Sequence, residues 1–379
     1  FLKPRLNSAV VKVALLTATN LRSLEFITLT PEKNVNIIIG KNNDGKTTIL
    51  EGIYYCSTLK SFKQVSSTLL IKNHSKTLKI LLKYTKSGEN ATISMEKNLS
   101  GGSINKINDK KASAKQLFIN LPVLALNFGS TNIVTTNSDE RRSFLDWGVF
   151  HVEHNYIDIF KDYQKAVKQR NSLLKKKDRT NLDYWTDLVV ERGNLLHTFR
   201  ESYFNEFNGH FKGLQESISS FMPDVYSDIR DMKLNYTRGW PNNKTLKIAM
   251  TESIDKDIIF KHTTCGPHRA DISFKSSGVD LKHISSMSTQ IITGLLMVLS
   301  QASMFHVKHN HNPIVLIDDL FFGIDDNNLG LVINLLNETG SQCFITAPDL
   351  YFEKISRFRD SAKNMKIYKL EDDNTIGEV

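Results

Sequence analysis

The run Gly40-Lys41-Asn42-Asn43-Asp44-Gly45-Lys46-Thr47-Thr48 constrains this chain more than any other stretch, because it fits the phosphate-loop pattern G-x-x-x-x-G-K-[ST]. Such a loop works only between a buried strand and a helix. Both are at hand: Val35-Asn36-Ile37-Ile38-Ile39 is an apolar run of strand length, and Ile49 to Leu59 is predicted as a helix. Backbone N–H groups in the loop point at phosphate, and the helix N-terminus adds its positive dipole end. Lys46 is expected to reach the β- and γ-phosphates and the Thr47 hydroxyl to ligate Mg²⁺, so the expected ligand is a magnesium nucleoside triphosphate and the fold class is α/β.

The second half of such a site lies far away. Ile314-Val315-Leu316-Ile317-Asp318-Asp319 is an apolar strand ending in two carboxylates, the form of a Walker B element. Asp318 is expected to hold Mg²⁺ through water and Asp319 to orient or deprotonate an attacking water, although a strand-terminal Asp also serves as a turn or cap residue. More than 250 residues separate loop and acidic strand, which excludes a compact P-loop kinase or GTPase.

The chain of 379 residues is long enough for two domains. Its 49 Lys+Arg against 40 Asp+Glu, a net charge of +9, suit a polyanionic partner and equally an ordinary basic enzyme. Three cysteines without C-x-x-C spacing suggest neither a disulfide framework nor a zinc site and fit a reducing cytosol. No apolar run reaches the roughly 18 residues of a membrane span, Ile291 to Phe305 being interrupted by Thr293, Ser300 and Gln301. Lys12 breaks the only apolar stretch near the start that could act as a signal core, so the chain is read as cytoplasmic, with no membrane partner.

Before the loop, Val11 to Ala18 and Leu24 to Leu29 are predicted as strands; after it, Leu78 to Tyr84 and Ala91 to Met95 form a hairpin, and Ser103 to Ile107 returns. Leu99-Ser100-Gly101-Gly102 imitates the start of an ABC-type signature, but it lies between alternating strands and is assigned to a turn. From Asp139 the spacing turns helical: Ile157, Phe160, Tyr163, Val167 and Leu174, then Leu182 to Tyr203, with a lysine run at Lys175 to Lys177 between, predict an antiparallel helical hairpin. Strands are expected again at Asp228 to Tyr236 and Asp271 to Phe274, then an apolar helix at Ile291 to Met304 and a strand at Gln342 to Thr346.

A phosphate loop near one end, an inserted helical region and a late acidic strand resemble the layout of SMC-like ABC ATPases. Local motifs narrow the resemblance to the bacterial RecF family of DNA replication and repair proteins. They are Asn42 to Tyr54, Lys60-Ser61-Phe62-Lys63, Leu121-Pro122-Val123, Arg141 to His151, Gln169 to Leu174 and Gly266-Pro267-His268-Arg269-Ala270-Asp271, within a match from about Val11 to Pro348. The resemblance implies an ABC-type head with an antiparallel β subdomain, assembled from residues 1–138 and 262–379, with a mainly helical arm at 139–261. It also implies ATP and Mg²⁺ as cofactors and an ATP-dependent homodimer on gapped, junction or duplex DNA. The further implications are weak DNA-stimulated hydrolysis and cooperation with RecR, RecO and RecA. Carried over residue by residue, Asp325 matches the D-loop aspartate that crosses to the partner subunit, Ser286, Ser288 and Gln290 lie in the signature region, and Lys60, Lys63, Arg141 and Arg142 are candidate DNA contacts. For the two arginines, salt bridges at a helix start are the competing assignment.

Three departures stand out. Asn43 replaces a glycine of the loop, which Asn tolerates best among non-glycines. Leu126-Asn127-Phe128-Gly129 departs from the F-x-P-[DE] that follows Leu-Pro-Val. The signature, expected as S-x-G-Q, reads Ser286-Met287-Ser288-Thr289-Gln290. Thr346 stands where transporter ATPases carry a switch histidine, whose absence the resembling family tolerates. A transporter subunit is disfavoured by chain length, that missing histidine and the missing L-S-G-G-Q, and a nuclease-coupled ATPase by the roughly thirty residues after Pro348. A DNA-binding scaffold of the same fold without ATPase activity stays open.

Overall fold

The computed structural model describes all residues except 1–8, 64, 129–131, 154, 179, 222–226, 322, 325, 360–363 and 372–374. The chain divides into two units, residues 1–132 with 286–379, and residues 133–285.

In the first unit five parallel strands and one antiparallel edge strand form a sheet in the order Ile376–Glu378, Met365–Leu370, Val35–Gly40, Cys343–Pro348, Ile314–Asp318, Val123–Asn127. Val35, Ile37 and Ile38 are wholly buried, as are Ile314 to Ile317, which is the burial that a parallel sheet covered on both faces imposes. A second sheet is antiparallel throughout, with order Leu24–Leu29, Lys12–Leu21, Thr77–Lys86, Glu89–Asn98, Ser103–Ile107, Lys110–Lys111. Its central hairpin turns at Ser87 and Gly88, both at positive φ, the geometry a two-residue connection requires. Gly101, at φ 100, turns the next pair of strands, so Leu99 to Gly102 is a hairpin turn, as the alternation around it requires. Gln342 stitches the two sheets: its side chain accepts from Val13 N–H at 2.7 Å and donates to Val13 O at 3.1 Å. The helix Met287–His309 is the one helix among the described residues long and apolar enough to cross a bilayer, and 78% of that apolar window is buried inside the protein.

The second unit is built on helices Ser138–Val152, Tyr156–Lys176 and Leu182–Phe221, the last of 40 residues. The second and third are antiparallel, since Arg170 meets Thr186 near one end of the pair and Tyr156 meets Arg200 near the other. Two ion pairs lock the unit: the buried pair Arg170 to Asp257, both 0% exposed, and the half-buried pair of Arg200 with Asp146 through two guanidinium nitrogens. A three-stranded antiparallel sheet, Met232–Thr237, Asp271–Ser276 and Val279–Asp280, belongs here as well. Residues 262–285 therefore fall in this unit and not with the head, because Asp271–Ser276 pairs along its full length with Met232–Thr237. The strand expected from Asp228 starts only at Met232; Ser227–Arg230 is a helical turn instead. The Gln215 amide donates to the carbonyls of Ile229, Arg230 and Met232, replacing the ladder partners a strand would need.

Candidate nucleotide site

The loop after Val35–Gly40 leads straight into a helix that begins at Lys46, three residues earlier than the apolar spacing predicts. Gly45 makes this possible. It is the N-cap at φ 105, and a Cβ there would sit 2.8 Å from Leu24 Cδ2 and 3.0 Å from Ser23 Oγ, so only glycine fits both the backbone and the space. Asn43 takes φ 73, the left-handed conformation expected of it. Asp44 Oδ2 accepts from Lys41 N–H at 2.6 Å and closes the turn. Lys46 is 7% exposed and folds back to donate from Nζ to Gly40 O at 2.7 Å. Burial pulls its pKa below the ordinary lysine value, against the nearby carboxylates of Asp44, Asp319, Asp349 and Asp318. The ammonium is held by the loop carbonyls within electrostatic reach of four carboxylates, whose charge a divalent cation would have to offset before an anion could bind beside it.

Strand pairing brings the acidic strand to this loop. Ile314–Asp318 and Val35–Gly40 both flank Cys343–Pro348, and Thr47 Oγ1 donates to the Asp318 carboxylate at 2.9 and 3.0 Å, a contact spanning 271 residues of sequence. Thr346, fully buried on the intervening strand, donates its hydroxyl to Asp318 Oδ1 at 2.6 Å and accepts from Asp319 N–H at 2.9 Å. Asp319 itself is at φ 54, a left-handed turn that this backbone hydrogen bond holds. Desolvation raises the pKa of Asp318, and Asp319 adds to this, while the hydroxyls of Thr346 and Thr47 and the charge of Lys63 oppose it. The Thr47 hydroxyl and the Asp318 carboxylate together are the hard oxygen donors that Mg²⁺ prefers, so the residues present fit that ion.

The signature segment differs from its expected form. The helix starts at Met287 rather than near Gln290, because Ser286 is its N-cap and accepts from Thr289 N–H at 3.1 Å. Ser288 is buried and accepts from Asn328 Nδ2 at 3.2 Å. Met287 is 47% exposed and lies over Gly323, where an added Cβ would come within 2.6 Å of Met287 Cγ. Gln290 donates its backbone N–H to Ser286 O in the first turn. Asp325 and Gly129 lie outside the described residues. Phe128 N–H donates to Asp318 O at 3.0 Å and so continues the ladder beside the acidic strand.

Lys60 and Lys63 are exposed in the first unit, and Lys63 is within electrostatic reach of Asp318. Arg141 and Arg142 belong to the second unit and are engaged there: Arg141 grips Asp271 with two bonds of 2.7 and 2.8 Å, and Arg142 donates to Ala270 O and pairs with Asp139. The bonds of Thr346 to the acid pair and the half-buried carboxylate of Asp349 near Lys46 were not foreseen; the sequence signals are the switch-histidine position of Thr346 and an Asp just past the end of the apolar strand.

The chain matches the family model described as RecF/RecN/SMC N terminal domain over residues 12–373. The DNA replication and repair protein RecF of Nitrosococcus oceani is 32% identical over 333 residues, which cover 86% of this chain and 89% of that protein. A solved structure of the recombination mediator protein RecF-ATPrS in the RecFOR pathway superposes with a TM-score of 0.81 at 20% identity, covering 98% of this chain and 99% of the other. An Smc head domain from Pyrococcus furiosus superposes at 0.56 and 13% identity, covering 98% and 96%. The fold is thus the ABC-type ATPase head of SMC-like proteins, and with a family model matching nearly the whole length and a relative above 30% identity, the chain belongs to the RecF family.

Proposed function

We propose that this chain is a RecF-type DNA-binding ATPase that takes ATP and Mg²⁺ at Gly40–Thr48, dimerises on gapped or junction DNA, and works with RecR, RecO and RecA in cytoplasmic DNA repair and replication restart. The observation that carries the reading is the constellation of Lys46, Thr47, Asp318 and Thr346, drawn from three separate segments onto adjacent strand ends. The curated relative is named for DNA replication and repair, and the superposed structure is of a mediator with an ATP analogue, which supports the same assignment. Bound magnesium triphosphate supplies the phosphoryl group that is transferred to water. Within the chain, Lys46 offsets phosphate charge, Thr47 and Asp318 hold Mg²⁺, and Asp319 orients water from its fixed left-handed turn. By the family match, the segment with Ser286, Ser288 and Gln290 serves as the signature toward the partner subunit, Asp325 is assigned the D-loop role, and Lys60 and Lys63 contact DNA. For Arg141 and Arg142 the same role is supported only by the family match, since both guanidinium groups already hold Asp271, Ala270 O and Asp139.

Sedimentation of the protein with and without ATP and gapped duplex tests this, with Lys46→Ala as the control. The parent should gain mass only with both ligands, and Lys46→Ala should bind ATP at least about tenfold more weakly at an unchanged melting temperature, as expected for loss of a charge-assisted bond. Equal ATP affinity and equal DNA retention in the two proteins would remove the assignment. Met287 at the signature favours one second reading, a scaffold that binds ATP without turning it over. Single-turnover phosphate release separates the two, since the scaffold binds ATP and DNA normally and releases none.

A further inference from the structure

Helix Tyr156–Lys176 buries Tyr163, Ala166, Arg170 and Leu174 along one side. At 3.6 residues per turn, Lys161, Lys165, Lys168, Ser172 and Lys175 fall on a single stripe directly opposite that buried side. All four lysines are exposed. The ion pairs of this unit go elsewhere, Arg170 to Asp257, Arg200 to Asp146 and Lys247 to Asp187, and among the described residues none uses these four ammonium groups. Nor do the lysines serve to neutralise the neighbouring helix, whose Asp187 and Glu201 pair with Lys247 and His197. Asp158 and Asp162 offset Lys161 and Lys165 at one end of the stripe, but among the described residues the four ammonium groups stay unpaired and repel one another at i,i+3 and i,i+4 spacing, which a polyanion would relieve.

A cavity of about 520 Å³ lies beside the stripe, lined by Lys168 and Lys175 together with Gln164, Asn171, Ser172 and His268. Its lining offers ammonium, amide and hydroxyl groups and no carboxylate. Tyr163 and Val167 supply the apolar part of its lining. From Lys161 to Lys175 the stripe runs about 21 Å, a length of duplex that carries roughly six phosphates on each strand.

We infer that the outer face of helix Tyr156–Lys176, with the adjoining groove, is a DNA surface on which Lys161, Lys165, Lys168 and Lys175 contact backbone phosphates. This rests on the DNA-binding reading above and places additional contacts in the second unit, where Arg141 and Arg142 are already held by Asp271, Ala270 and Asp139. The contacts read no bases, so the surface tracks any sequence.

The test is gapped-duplex binding by fluorescence anisotropy with ATP and Mg²⁺ between 50 and 200 mM salt. Three proteins are compared: the parent, the variant with Lys161, Lys165, Lys168 and Lys175 each changed to Gln, and a charge-matched control with Lys79, Lys83, Lys110 and Lys111 each changed to Gln. Gln keeps the helix propensity of Lys, and ATP affinity and melting temperature report that each variant is folded. With about 0.9 counterions released per phosphate contact, the stripe variant should show a log–log salt slope shallower by about 3.6 and binding weaker by about three to four powers of ten at 0.1 M salt, while the control stays near the parent. A stripe variant with the parental slope, or an equal loss in both variants, overturns the inference and leaves the DNA reading standing. A parent that binds ATP but no DNA at any salt concentration overturns both.

Discussion

Replacing Thr346 by Val keeps the shape of a fully buried side chain and removes one oxygen, which isolates what that oxygen does. It donates to Asp318 Oδ1 at 2.6 Å and accepts from Asp319 N–H at 2.9 Å. The first bond goes to a carboxylate that is 2% exposed, and losing it costs about 1.5–3 kcal/mol; leaving the Asp319 N–H without a partner costs about 1–3 kcal/mol more. Asp319 is half-buried, so water can recover part of the second cost. The expected loss is about 3–4 kcal/mol at pH 7.5, read from urea unfolding of the parent and the variant, and Thr346→Ser should restore most of it.

The loss should also depend on pH. Asp318 already titrates above the ordinary Asp value because it is desolvated, and the Thr346 hydroxyl is the largest influence opposing that rise. A raised carboxyl pKa means that the unfolded chain ionises first, so stability falls as pH rises from the unfolded value through the folded one. Removing the hydroxyl raises the folded pKa further and deepens that fall. The difference between parent and variant is then largest at neutral pH and shrinks in acid, as Asp318 takes up its proton. A loss below about 1 kcal/mol, a loss equal at both pH values, or a serine variant as unstable as the valine one would refute the reasoning.

Three further outcomes are expected. Asp257→Asn leaves Arg170 charged and wholly buried, so urea unfolding should show a loss of about 3–5 kcal/mol, and a loss under 1 kcal/mol would mean that the pair is not formed. His268 is pushed down to about 4 by burial, with its ring nitrogens tied to Tyr163 OH and Thr263 O. The unfolded chain therefore binds this proton at higher pH than the folded one, stability should fall between the ordinary histidine value and about 4, and His268→Gln should flatten that part of a melting-temperature profile. Met287→Ser with Thr289→Gly restores a signature hydroxyl and opens the helix start; analytical ultracentrifugation should show ATP-dependent dimers strengthened by tenfold or more, about one charge-assisted bond, and a tight ATP dimer in the parent would place the signature contact elsewhere.

Elements fixed by local pattern were legible in the sequence, and those fixed by a distant side chain were not. Val35–Gly40 and Ile314–Asp318 are apolar runs buried on both faces, so the run of apolar residues alone located them, whereas Ser103–Ile107 forms the expected strand without alternating burial. Ser227–Arg230 failed because its carbonyls are taken by Gln215, more than ten residues earlier on another helix, which no local window contains. The helix before the acidic strand starts at Met287, ahead of the apolar run that begins at Ile291, because the Ser286 hydroxyl caps it by accepting from Thr289 N–H, and a capping serine lies outside any apolar spacing. For Arg141 and Arg142 the sequence leaves a DNA contact and salt bridges at a helix start both open, because Asp271 and Ala270 are brought to them only by the fold.

The position of Thr346 follows from strand order rather than from any motif. Cys343–Pro348 is the strand between the loop strand and the acidic strand, so its C-terminal end is where a side chain can serve both halves of the site. In ladder register Thr346 lies opposite Ile38, two residues before the end of the loop strand, and its neighbour Ile345 lies opposite Ile317, one residue before Asp318. A hydroxyl one bond from Cβ reaches only as far as the carboxylate of Asp318 and the N–H of Asp319. The longer imidazole expected at a switch position would extend past them. Thr346 thus fixes the acid pair, and on the proposed ATPase reading sensing of the terminal phosphate falls to groups outside this strand, foremost Lys46 and the helix end at Ser286. On that division, Thr346→Val should lower the affinity for Mg²⁺, measured by metal titration of bound nucleotide, more than it lowers the affinity for the nucleotide itself. Equal losses in the two would show that Thr346 senses phosphate after all.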